Sequence, residues 1–159
     1  MKKILFSLIL LSSFVFGVVK DEGKVFKVEE VKALNDRINL LKEQTATDFE
    51  VVTLAEENEK VFSGLENATR KVIVVLQKGE ENSIKVKLAF SNDINLTGYE
   101  DKINKKLEEL ERVISPKTFS DYTLELLAET GDVLTSIQLD EKSAAEAKNG
   151  IDKRAVIIF

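Results

Sequence analysis

Apolar positions first fall into rhythm in the stretch after Lys27. Val31, Leu34, Ile38 and Leu41 lie at intervals of three, four and three residues, one stripe along a helix. Glu29, Glu30, Lys32, Asp36, Arg37, Lys42 and Glu43 occupy the opposite face, so the spacing predicts a helix over 27–45. Ahead of it, VVKDEGKV (18–25) reads as an extended segment with a turn at Gly23. After it, FEVVTL (49–54) is β-rich and nearly continuously apolar, which predicts a buried strand. The polar segment 55–69 carries Val61, Phe62 and Leu65 at helical spacing and predicts a short helix covering a sheet.

The strongest strand in the chain is KVIVVLQ, 71–77. KGEEN (78–82) is a turn. SIKVKLAF (83–90) alternates strictly, with Ile84, Val86, Leu88 and Phe90 on one side and Lys85 and Lys87 on the other. Two such runs joined by a short glycine-containing loop predict a hairpin. SNDINLTG (91–98) is a loop. Tyr99, Ile103, Leu107, Leu110 and Ile114 then stripe a second helix, which Ser115-Pro116 ends, since a residue before proline avoids helical geometry. Leu124, Leu127, Leu134 and Ile137 predict a third helix over 120–137. Asp140 has the chemistry of an N-cap, Asn149-Gly150 that of a helix stop, and AVIIF (155–159) that of a terminal strand. The expected fold is α/β, a single-domain sandwich with a central mixed β-sheet and a hairpin covered by helices. The domain spans 18–138, and 139–159 holds a C-terminal helix and the terminal strand.

The first seventeen residues stand apart. Lys2 and Lys3 precede an apolar run from Ile4 to Phe16, closed by Gly17. A charged start, an apolar stretch of about 13 residues and small groups at its end make a secretory signal peptide. The run is shorter than the roughly 20 apolar residues that span a bilayer. Residues 1–17 therefore predict cleavage before Val18 and a periplasmic or secreted protein, not itself transmembrane after cleavage. An uncleaved N-terminal anchor is the plainer alternative.

Composition narrows the chemistry. The 159-residue chain carries a formal net charge of −5, which disfavours a nucleic-acid partner and docking on anionic lipid. It has no Cys, hence no disulfide framework. It has no His, which removes Ser-His-Asp and Cys-His catalysis. Any bound metal would be a hard, oxygen-loving ion, calcium or magnesium.

Several local signatures, in order, resemble the TPM domain family, which includes YgcG-like exported bacterial proteins and a thylakoid-lumen protein linked to photosystem repair. Val19, Asp21, Gly23, Phe26, Glu29 and Glu30 resemble the family's opening, and Val51-Val52-Thr53 the end of its first long strand. KVIVVLQ with IKVKLAF resembles its central hairpin. Pro116, Phe119, Asp121 and Tyr122 in SPKTFSDY resemble a run before its last helix. The chain also departs from the family. An Asp-x-Gly before the central strand is replaced by Thr69, Arg70 and Lys71, and a glycine-rich turn after the hairpin by Ala89, Phe90, Ser91, Asn92 and Asp93.

The resemblance implies a TPM-like fold, with divalent-ion binding and acid phosphatase activity attributed to some members. On the residues themselves, Asp93 stands among Ser91, Asn92 and Asn95 in a loop after a strand, where oxygen donors suit calcium. Asp21 and Asp121 are the candidates to join it as metal ligands. The plainer reading is a solvated loop with Asx-turn chemistry, and for Asp121-Tyr122 a capping acid beside a packed aromatic. A phosphatase would need positive charge on the transferring oxygens, for which Arg70, Lys71 and Lys85 are available. No P-loop or D-x-D signature accompanies them, and no catalytic or cofactor-binding residue is assigned.

The expected function is that of a non-catalytic binding, assembly or repair factor acting on envelope or membrane proteins, with at most weak calcium or magnesium binding. The alternative is a divalent-metal-dependent hydrolase of the phosphatase kind. A structural scaffold for an envelope complex is a third class.

Overall fold

Val72 to Leu76 is buried without interruption, each residue at most 3% exposed, as its apolar run requires. The computed structural model describes residues 18–81, 83–113 and 115–158. The predicted signal peptide, 1–17, lies outside them. β1 (Val18–Asp21), β2 (Asp48–Leu54), β3 (Lys71–Lys78) and β4 (Ile84–Phe90) form one sheet in that order. β1, β2 and β3 are parallel, and β4 returns antiparallel to β3 as the predicted hairpin. The mixed sheet is thus a three-stranded parallel unit with one antiparallel edge.

Register decides which side chains share a face. Val51 lies opposite Val74, and Val74 opposite Leu88. This face packs against α1 (Val28–Thr45), α2 (Glu100–Glu111) and α3 (Pro116–Ile158). Leu34, Ile38 and Leu41 of α1, Ile103 and Leu110 of α2, and Leu126, Leu127, Val133 and Leu134 of α3 fill the main core. Fully burying each such side chain contributes about 1.5–3 kcal/mol. The opposite face presents Val52, Leu54, Ile73 and Val75. The predicted short helix over 55–69 is instead two 3-10 turns, Glu59–Phe62 and Leu65–Asn67. Gly64 between them, at φ 81°, breaks the helical path. Val61, Phe62 and Leu65 still cover this second face.

The C-terminal third departs furthest from expectation. The helix predicted at 120–137 is the inner part of one 43-residue helix. It begins at Pro116, where proline's missing N–H costs nothing, and Ser115 accepts from the amides of Thr118 and Phe119. Asp140 is no N-cap, Asn149-Gly150 does not stop the helix, and 155–158 is helical where a strand was expected. Cap residues are preferences of about 1 kcal/mol. They yield where strong helix formers such as the SAAEAK run (143–148) flank them.

Candidate functional site

Asp21 ends β1, and its carboxylate closes the turn that follows. Oδ1 accepts from the Val25 amide at 2.9 Å and Oδ2 from the Phe26 amide at 3.1 Å. The Thr53 hydroxyl donates to Oδ1 at 2.5 Å. Thr53 is wholly buried, and its hydroxyl accepts in turn from the Gly23 amide at 2.9 Å. Gly23 crosses so close to β2 that a Cβ there would lie 3.1 Å from the Leu54 carbonyl carbon. The Asp-x-Gly at 21–23 is therefore a lock between the β1–α1 turn and the end of β2.

Asp93 does comparable work elsewhere. Its carboxylate accepts from the Arg70 amide at 2.9 and 3.2 Å and from the Ser91 hydroxyl at 2.5 Å. The Ser91 hydroxyl accepts from the Lys71 amide at 2.9 Å. The Ser91 hydroxyl, then the Arg70 amide and guanidinium charge, hold the Asp93 carboxyl below the usual carboxylate range against a smaller opposing desolvation. Arg70 stands at φ 47°, and its guanidinium donates to the carbonyls of Thr45 at 2.8 Å and Ala46 at 3.3 Å and to the Thr47 hydroxyl at 3.1 Å. A cation at these carbonyls also complements the negative end of the α1 dipole. Lys71 turns to the other face and pairs with Glu50 at 3.2 Å.

These two acids sit at opposite edges of the sheet. Asp21 bonds at the level of Thr53, whereas Arg70, which holds Asp93, bonds Asp48 at the other end of β2. Five residues of extended strand, about 17 Å, lie between those levels. Asp121 is exposed in the second turn of α3. The structure does not bring the three acids together. Among the described residues, no group of three His, Cys, Asp or Glu side chains is placed to hold a metal ion.

At the Asp21 edge the loops enclose a cavity of about 190 Å³ lined by Lys24, Val25, Lys78, Ser83, Ile84 and Phe119. Carboxyl ends of parallel strands are where open α/β sheets offer such crevices. Its floor is apolar, from Val25, Ile84 and Phe119, all buried. Lys24 and Lys78 bring cationic side chains and Ser83 a hydroxyl. Gly79 makes room for that hydroxyl, since a Cβ there would meet Ser83 Oγ at 2.2 Å. Sequence reasoning singled out Phe119, and Ile84 as an inward strand position, but not Lys24, Lys78 or Ser83. Lys24 lies far along the chain from Lys78 and Ser83, which flank one hairpin turn, and only tertiary packing brings the two turns together beside Phe119.

The fold has solved likenesses. One is the N-terminal domain of a P. gingivalis protein, with a TM-score of 0.54 and 16% identity over 76% of this chain and 83% of that one. Another is the N-terminal domain of a Corynebacterium glutamicum protein, with a TM-score of 0.55 and 12% identity over 73% of this chain and 78% of that one. At such identities the likeness is one of fold. No protein-family model matches the chain, and no curated protein matches it.

Proposed function

We propose that this chain is an exported TPM-like domain that acts as a non-catalytic binding and assembly factor on proteins of the cell envelope. The observation that carries this reading is the state of its two best-placed acids. Both oxygens of Asp21 and the carboxylate of Asp93 are engaged by donors of the chain itself, at opposite edges of the sheet. A divalent-metal hydrolase needs carboxylates converging on one ion and on the reacting phosphate. An amphipathic cavity with two lysines and an apolar floor suits recognition of a partner segment that presents an acidic group.

Two measurements test this. Hydrolysis of a chromogenic phosphate monoester, at acidic and neutral pH with and without magnesium or calcium, is expected to show negligible turnover. Titration calorimetry with either ion is expected to show weak binding at most. Robust turnover that disappears in Asp93→Ala promotes the phosphatase reading and sinks this one. A photo-crosslinking residue at Ser83 is expected to capture an envelope protein in cells, and Lys78→Glu to abolish the adduct. The expected site of action is checked by sequencing the N-terminus of protein from the native envelope, which should begin near Val18.

A further inference from the structure

We propose, resting on the binding role above, that the cavity beside Phe119 receives the C-terminal residue of a partner chain. The terminal carboxylate meets Lys24 and Lys78, and the apolar side chain of that residue lies on Val25, Ile84 and Phe119.

Size sets the first limit. The cavity measures about 190 Å³. A cavity of about 150 Å³ lined by apolar side chains holds a benzene molecule. One leucine or phenylalanine side chain therefore fills the floor, and little volume is left for a second residue. Val25, Ile84 and Phe119 are all buried, so the floor is already in place before a ligand arrives.

Charge sets the second limit. Lys24 follows β1 and Lys78 ends β3, with only β2 between those strands. Two strand spacings are about 10 Å, a gap that side chains as long as lysine close from either side. Among the described residues, neither ammonium group has a carboxylate partner. Glu22, Glu80 and Glu81 lie in the same two turns, but they are exposed and none lines the cavity. An anion entering here meets two cationic side chains and the Ser83 hydroxyl.

The backbone narrows the kind of anion. The amides of Lys24, Val25, Gly79, Ser83 and Phe119 all donate within the chain. Phosphate sites are built on unspent amides, at a helix N-terminus or in a turn whose successive N–H groups converge. These five residues offer none. A carboxylate, with one charge and two oxygens, is served by ammonium donors alone.

The closeness of floor and rim then selects a chain end. A ligand must carry its charge and its apolar group within one small space. A mid-chain Asp or Glu spends its side chain on the charge and has nothing left to cover the floor. A C-terminal residue holds carboxylate and side chain on one Cα, and its chain leaves in one direction only.

The test is fluorescence anisotropy of labelled glycine-serine hexapeptides with the mature full chain. The peptide ending in leucine with a free carboxylate is expected to bind with a Kd of roughly tens to hundreds of micromolar. Its C-terminal amide should bind about tenfold more weakly, having lost the charge. A free-acid peptide ending in alanine should also bind about tenfold more weakly, having lost most of its apolar contact. K24Q/K78Q should weaken the leucine acid by a similar factor and leave its amide unchanged. Both lysines are exposed, so the melting curve of that variant should match wild type. Equal binding of acid and amide overturns the chain-end proposal, while a Ser83 crosslink to an envelope protein would preserve the broader binding role. Octanoate binding as tightly as the leucine peptide, or inorganic phosphate displacing that peptide at equal concentration, overturns the proposal too. So does no binding of the leucine peptide at millimolar concentration. Phosphatase turnover without peptide binding overturns both the proposal and the role it rests on.

Discussion

If Asp21 is a lock rather than a metal ligand, removing it must cost folding stability in the absence of any ion. Asp21→Ala deletes the acceptor for the Val25 and Phe26 amides and for the Thr53 hydroxyl. Hydrogen bonds to a charged acceptor contribute roughly 1.5–3 kcal/mol each, net. The two amides lie in a partly exposed turn, where water replaces much of what they lose. Thr53 is fully buried, so its hydroxyl proton is left without an acceptor, at about 1–3 kcal/mol. Together these give a destabilisation of about 3 kcal/mol. For a domain of this size that is about 10 °C in melting temperature. Asp21→Asn keeps one acceptor oxygen and should lose about half as much. Urea unfolding followed by circular dichroism, with a chelator present, measures both. An Asp21→Ala protein within about 0.5 kcal/mol of wild type refutes the lock. A wild-type melting temperature that rises steeply with calcium, together with an unchanged chelated Asp21→Ala variant, would return Asp21 to metal chemistry.

Other expectations follow from the sheet. Val74 has no exposed surface, and Val74→Asp would bury an unpaired charge; the variant should be unfolded by circular dichroism, and near-wild-type melting would sink the central-strand assignment. Glu50 lies between Lys20 at 2.9 Å and Lys71 at 3.2 Å. Burial pushes its carboxyl up, but the hydrogen bonds and charges of the two lysines outweigh this and hold it below the usual carboxylate range. Its contribution is therefore complete above its unfolded value and is lost as pH falls through the lower folded one. Urea midpoints of wild type and Glu50→Gln should differ at pH 7 and converge toward pH 3, and a gap that widens in acid would contradict that sign.

Much of this fold is written locally. The stripe of Leu34, Ile38 and Leu41 determined α1, because helical periodicity needs only neighbours along the chain. Unbroken apolarity from Val72 to Leu76 marked the central strand, since only a strand covered on both faces can bury such a run. Strict alternation from Ile84 marked its antiparallel partner. Where local signals were weak preferences, the structure went its own way: Asp140 and Asn149-Gly150 resemble caps, yet α3 runs through them. The acids were visible as acids, but their roles were not. Asp21 and Asp93 each find donors that are distant in sequence, Thr53 for one and Arg70 for the other. Parallel pairing carries those donors to opposite ends of the same strands. Whether a carboxylate is free for an ion or spent on a turn depends on which amides and hydroxyls the sheet register delivers to it. That is settled by long-range pairing, which no local pattern encodes.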